Sequence, residues 1–532
     1  MMNHQCKQKD SQPKVSAFLK KDTGKTLSPR DLETLNEAAV LFAAQDMRPM
    51  SLFERKGLLQ FSNTLVTLAA RYGNFDVETA LNSRVHLTRK HLPAVYERLK
   101  AEVEHQMEDC DLIANTTDIW LETYSNRSYV SLSCAYITSD FKLRKVLYVT
   151  DEFPYLRKTK ENIAEWYTNN LPKPEKKHTV TADNASNNNM LCNRISCSAH
   201  CINLVVHDMI SCKDAIELVQ LIKAVKSLVT WWEKSGLSQR LPKSLKQSIS
   251  IRWNSELTML KSVSEIWEEL TTEIVTTGDV VHLAGITKEM LDEVIKVLEP
   301  FLAATEDLEA DKEPTLHRVL FWVAKLRRHP QSTSGHPALE KAKEAGLQSL
   351  ERKWVARLSP VHYAAAILDP RAKHSPILHR MQEKREEGLG YISSQLALLQ
   401  EIPSADNTND DPAPNNIPEE DEDILYSCSS SQSQVETLRS DLDLYLQEPL
   451  ANREVKPLSW WKDASNRLPL ITRVARQVLS IPASSATSER AFSDAGYTIN
   501  QRRVSLNPQN VDKLLFIRSA CAITSFGDDD DY

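Results

Sequence analysis

At 532 residues the chain is long enough for two to four domains with sizeable cores, and only 12 glycines among abundant Leu, Ala, Glu and Lys argue for a largely helical protein. No apolar run reaches the ~18 residues of a membrane span, the first 14 residues have no apolar core for a signal peptide, and nine scattered cysteines point to a reduced compartment rather than a disulfide framework. The net charge of −7 is unevenly placed: Glu401–Asp443 holds 12 acids and one arginine, Asp528–Asp531 adds four more acids, and the remaining chain is +8, a mildly basic body with acidic segments expected to be disordered.

Residues 1–28 are polar, and disorder is expected there. His4 and Cys6 are the only candidate zinc ligands in that stretch, at a spacing no zinc finger uses. Residues 29–107 are expected to be helical. Ser28-Pro29 starts a helix whose stripe is Leu32, Leu35, Ala38, Ala39, Phe42 and Ala43, and Leu87–His105 is another amphipathic helix. Packing is the simpler role for these helices, DNA contact the alternative.

The pattern changes near Glu108. Leu112–Trp120 is a short buried strand, Tyr129–Ile137 alternates as a strand, and Leu143–Val149 is a third. Asn162–Asn169 suits a helix, His178–Asp183 a fourth strand, Asn187 onward a helix, and Arg194–Ser198 a possible fifth strand. From 201 to about 460 the chain reads as helices. The best candidates are 215–233, 255–276, 288–308, 316–329 and 340–358, followed by an acidic low-complexity loop at 403–434. Asp118 sits in an otherwise apolar strand and Asp183 ends another. Each has a simpler reading as a turn or cap residue.

In Ser480–Ser519, Pro482 and Ser484, Ser485, Thr487 and Ser488 make a helix start, followed by Glu489 and Arg490. Asn507-Pro508 opens a second helix carrying Val511, Leu514, Leu515 and Ile517. The wording SSATSERAFSDAG…RR…L…NV resembles the C-terminal dimerisation region of hAT-family DNA transposases, which also occurs in transposase-derived BED-type zinc-finger proteins. Ser459-Trp460-Trp461 resembles the start of that region, and Met47–Phe61 a stretch that precedes the family's catalytic domain.

The resemblance implies an α/β fold: an RNase H-like catalytic core, a mixed sheet with helices, interrupted by a large all-α insertion domain and preceded by N-terminal helices. The core would occupy 108–212 and 456–520, the insertion 213–455 and an acidic tail 521–532. It makes Glu489 the third acid of an Asp-Asp-Glu site with Asp118 and Asp183, in the contexts TTDIW and TADNASNN. Three converging carboxylates repel one another unless a cation is present. Hard oxygen ligands suit Mg2+ or Mn2+, which can promote in-line phosphoryl transfer.

Cys197-Ser-Ala-His200 resembles the family's C-x2-H motif, expected beside the active site and in contact with DNA. Zinc is the competing reading, because Cys192, Cys201, His207 and Cys212 are near, but their irregular spacing argues against it, and no zinc is expected in this chain. Arg252-Trp253 resembles the family's Arg-Trp motif, whose tryptophan stacks on a flipped base, although a core role is the simpler reading. Arg490, Arg502 and Arg503 complete the candidate DNA contacts. The BED finger that relatives carry at the N-terminus is not present in this sequence, so weak sequence preference is expected. Two functions follow: a DNA transposase body cutting DNA and transferring strands, or a domesticated nuclear DNA-binding regulator that does not cut. Both imply DNA as partner, a nuclear location, no membrane, and self-association as a homodimer or higher oligomer. Leu514 to Ile517 supply more apolar surface than one helix face needs.

Overall fold

The computed structural model describes residues 27–122, 126–249, 253–329, 336–400, 441–490 and 507–524. The sequence-based expectations for the extreme N-terminus, the 403–434 loop, Arg252, Arg502, Arg503 and the last eight residues lie outside these. The chain separates into two compact units, Met1–Leu87 and Thr88–Tyr532.

In the first unit, Ser28 caps α1 (Pro29–Gln45) by accepting the Asp31 N–H, and α2 (Lys56–Tyr72) ends at Gly73 with φ of 79°, a conformation glycine adopts without strain. Among its described residues only Ala43 is fully buried. Leu32, Leu35 and Phe42 of the expected stripe are exposed, as are Leu59, Phe61 and Val66 of α2.

The second unit begins with α3 (Leu92–Gln106) and a mixed five-stranded sheet. Its strands are β1 (Leu112–Glu122), β2 (Arg127–Ile137), β3 (Leu143–Glu152), β4 (Lys177–Ala182) and β5 (Arg194–Ser196), in the order β3-β2-β1-β4-β5. β1, β2 and β3 form an antiparallel meander, while β4 pairs parallel to β1, and β5 parallel to β4. The crossover from β3 to β4 carries α4 (Lys160–Asn169). Asn187 does not begin a helix. A single 3-10 turn, Ser186–Asn188, stands there, because the asparagine amides are spent on the loop: Asn187 donates to the Lys158 carbonyl and Asn188 to the Asp183 carboxylate.

Period-2 alternation sorts the sheet's side chains between two cores. Leu112, Ala114, Ala135 and Ile195 join the helical mass of the second unit, whereas Ile113, Val130, Leu132, Cys134 and Val180 face α3 and α4. The helical mass comprises α5 (Ser198–Ile210), α6 (Ile216–Lys234), α7 (Trp253–Glu265), α8 (Trp267–Thr277), α9 (Lys288–Leu308), α10 (Val319–Arg328), α11 (Pro337–Lys353), α12 (Pro360–Ile367) and α13 (Gln382–Gln400). The single helix expected over 255–276 breaks at Ile266, and Lys288 donates to the Ser264 carbonyl beside the break (2.6 Å), so that oxygen keeps a partner.

The chain then returns to the sheet through α14 (Pro457–Ala464) and α15 (Pro469–Leu479), and closes with α16 (Pro508–Ala520). α16 lies along the free side of β3. The Leu147 N–H donates to the Ser519 hydroxyl and the Thr150 N–H to the Asp512 carboxylate, both at 2.8 Å, which satisfies edge groups that would otherwise template another strand. Leu515 and Phe516 are buried and Ile517 packs against the core, so Leu514 alone is exposed. The expected apolar surplus of this helix is therefore mostly consumed within the chain.

Two buried histidines make stability pH-dependent. Nδ1 of His362 accepts the Ser359 N–H at the start of α12, which requires neutral imidazole, and His317 lies against the Asp369–Arg371 pair. Burial pushes both down to about 4. The unfolded chain, titrating near 6.5, takes up protons first, so stability is lost as pH falls from about 6.5 to 4, on the order of 3 kcal/mol per histidine. Asp512, pushed up to about 6 by burial, has the opposite sign between 3.8 and 6 and offsets part of this. Urea denaturation from pH 7 to 4.5 is expected to show a falling midpoint, with a shallower fall in His362→Gln. Equal slopes for the two proteins would contradict this assignment.

Candidate active site

Extending the β1–β4 register, in which Thr116 lies opposite Thr181, by two residues sets Asp118 opposite Asp183. Asp118 therefore lies within β1 and Asp183 directly after the end of β4, and both follow the same face as the threonines two residues before them. Those threonines hold the returning segment. Thr181 donates to the Pro482 carbonyl and Thr116 shares a hydroxyl hydrogen bond with Ser488, both at 2.8 Å and both buried. Ser488 immediately precedes Glu489, which lies in the short helical stretch 486–490.

Further bonds fix the same segment. The Ser485 N–H donates to the Cys197 sulfur (3.3 Å), the Ser198 N–H to the Ala483 carbonyl (2.8 Å), and the Ala483 N–H to the Thr315 hydroxyl (2.9 Å). Glu489 thus returns to this face of the sheet 306 positions after Asp183.

Each acid is anchored locally. Asp118 Oδ1 accepts the Ile119 N–H (2.8 Å). Asp183 Oδ1 accepts the Ala185 N–H (3.1 Å) and the Asn188 amide, and no lysine or arginine ion-pairs with Asp183 among the described residues. Arg194, which sequence reasoning did not single out, pins the loop by donating to the Asp183 carbonyl (2.6 Å) and to Asn184 (3.2 Å). His200 is held below its ordinary value by burial, against the opposing pull of Asp183 and Glu489. It is the side chain on which the fields of those two acids meet.

The remaining candidates divide. Cys197 is fully buried, its sulfur accepts N–H groups from His200 and Ser485, and burial pushes its thiol up to about 12. It secures the C-terminal segment and does not offer a surface to DNA. Trp253 is 6% exposed, packed in the helical core at the start of α7. Its polar neighbours mark the first turn of a helix rather than an exposed ring. Arg490 ion-pairs with Asp311 and donates to the Glu309 carbonyl (3.3 Å). Among the described residues no three His, Cys, Asp or Glu side chains stand close enough to hold a metal ion together.

Residues 441–521, which include the segment carrying Glu489, match the hAT family C-terminal dimerisation region. Over those residues the chain is similar to hAT-family transposases. It is 25% identical over 529 residues to the Transposable element Hobo transposase of Drosophila melanogaster, covering 88% of this chain and 80% of that protein. It is 25% identical over 504 residues to the Putative AC transposase of Zea mays, covering 84% and 61%. Zinc finger protein 618 of Mus musculus is 23% identical over 511 residues, covering 92% of this chain, which spans about half the length of that relative (51%). No described helix of this hAT-like chain is long and apolar enough to cross a membrane.

Proposed function

We propose that this chain is the body of a hAT-type DNA transposase that cuts DNA and transfers strands by metal-dependent phosphoryl transfer, using Asp118, Asp183 and Glu489. The observation that carries the reading is the common placement of the acids. Continuing the Thr116–Thr181 register by two residues sets Asp118 of β1 opposite Asp183 just after β4, and Ser488, next to Glu489, is hydrogen-bonded to the same face of β1. The order of a three-stranded meander, a helix, and a parallel strand ending in aspartate is the one an RNase H-like core requires. The helices between α5 and α14 would then be an insertion.

The donor set is all-oxygen, which fits Mg2+ or Mn2+. A bound ion would neutralise the acids and polarise a phosphoryl oxygen. Asp118 and Asp183 would hold it, and a small approach of the 486–490 segment would add Glu489, since the three do not form a closed ligand set without a metal. Neutral His200 can hydrogen-bond a nucleophilic water or 3′-hydroxyl in that space. Arg490 could reach DNA phosphates by leaving Asp311, and a location in the nucleus follows from a DNA substrate.

Self-association is supported by the match to a dimerisation region and by the exposed apolar residues of α1 and α2. A homodimer is the simplest closed assembly.

A second reading, a DNA-binding regulator that does not cut, is favoured by the unassembled ligand set and by the likeness to Zinc finger protein 618. The two part in one assay. Duplex DNA is incubated with the protein and Mg2+ or Mn2+, and the products are separated on a denaturing gel. Strand breaks that leave 3′-hydroxyls and disappear with chelator support the transposase. Salt-sensitive binding without breaks supports the regulator.

A further inference from the structure

A cleft of about 240 Å3 opens between the sheet and helices α12 and α13. It is on the same sheet face as the acids but nearer the other end of the strands. Thr179 is in its wall and lies four residues before Asp183, ~13 Å along β4 at ~3.3 Å per residue. Lys177 and Arg194 line it, and no carboxylate does.

Neither cation makes an ion pair among the described residues, although the charge of Asp183 acts on Arg194. Lys177 donates to the Gln395 amide oxygen (2.7 Å), while the nearest acid acting on it, Asp111, is held by two hydrogen bonds from Arg473 (2.6 and 3.1 Å). Burial lowers the Lys177 pKa, as expected for an ammonium group facing an unanswered cleft. Arg194 spends its two terminal nitrogens on Asp183, Asn184 and Asn189, and its buried Nε has no partner among the described residues. The rest of the wall is mixed: Leu112, Ile195, Val361 and Tyr391 are apolar or flat, while His178, Asn193 and Ser359 are polar. An anionic group joined to a flat apolar body matches these walls, and the volume admits one nucleotide, not a duplex.

We propose that the cleft is a subsite for one nucleotide of single-stranded DNA, with its phosphate against Lys177 and its base against Tyr391. Because Arg194 also anchors the Asp183 loop, a strand passing the acids would lie along β5 and seat a nucleotide here. This inference deepens the DNA-cutting reading and rests on DNA being the substrate, but its test does not require cutting.

The test uses the full chain and a fluorescein-labelled single-stranded twelve-mer, with binding followed by anisotropy without metal. Lys177→Met keeps the aliphatic stem and removes the charge. It is expected to weaken single-strand binding about tenfold and to reduce the salt slope by about 0.7, the value of one lost phosphate contact. Tyr391→Ala is expected to lose about tenfold through stacking, and Tyr391→Phe to stay within twofold of the parent. Duplex affinity should change less than twofold in all three. Circular dichroism checks that each variant is folded. Folded Lys177→Met and Tyr391→Ala proteins that bind the twelve-mer like the parent would overturn the subsite. If the variants lose single-strand binding while the parent never cuts DNA, the subsite stands and the transposase reading falls. If the parent cuts while the variants bind normally, the reverse holds.

Discussion

Asp183→Asn is expected to reduce metal-dependent strand cleavage by at least about a thousandfold while leaving DNA binding within a few-fold of the parent. Removing one electrostatic partner of a transition state costs ~10²–10³ in rate, and a metal-holding carboxylate should lie at the upper end or beyond it. Asparagine retains an oxygen that can accept the Ala185 N–H, so the loop after β4 should keep its shape. The same loss is expected for Asp118→Asn, whose backbone is already fixed by pairing to Ser131 and by the nearby Thr116–Ser488 bond. Single-turnover cleavage of an end-labelled duplex measures both. Retention of more than a tenth of the parental rate in either variant would remove that residue from the reaction.

Leu515→Asp should act on folding, with a loss of about 3–5 kcal/mol or more. Leu515 is 3% exposed and packs with Tyr129, Leu147 and Val511. The substitution removes a buried aliphatic side chain and leaves a carboxylate without a partner, each costly alone. α16 would then leave β3, exposing the Leu147 and Thr150 amides that Ser519 and Asp512 hold. Hydrogen exchange at those two amides, together with urea denaturation, reads this directly. If the variant instead keeps its stability and changes mass in light scattering, Leu515 belongs to a subunit interface. Leu514, the exposed member of the same run, is the better position for testing self-association.

The strands were legible because β1 and β2 are buried on both faces and read as continuous apolar and hydroxyl runs, while turn residues punctuate them. Asp118 and Asp183 stood out for a related reason: a carboxylate within an apolar strand, or ending one, calls for an explanation. In retrospect the threonine two residues before each aspartate was a usable signal, because period 2 puts it on the same face.

What holds Glu489 to the sheet was not legible. The bonds Thr116–Ser488 and Thr181–Pro482 join positions 372 and 301 residues apart, and local patterning carries no trace of them. Arg194 was hidden for the same reason, since its partners belong to a loop whose shape the sequence does not specify. Trp253 shows the converse. The Arg-Trp resemblance suggested a base-stacking ring, yet the ring at the start of α7 faces the core. The helix break at Ile266 depends on Lys288, far along the chain, and could not be read from 255–276 alone.

The central claim is that carboxylates from β1, β4 and the 486–490 segment hold one metal site. Crystals soaked in Mn2+ and measured at the manganese edge test it most directly. An anomalous peak is expected between the side chains of Asp118, Asp183 and Glu489, within ligand distance of their oxygens, and absent in Asp183→Asn crystals. A peak elsewhere, or Glu489 remaining beyond ligand distance at saturating Mn2+, would contradict it.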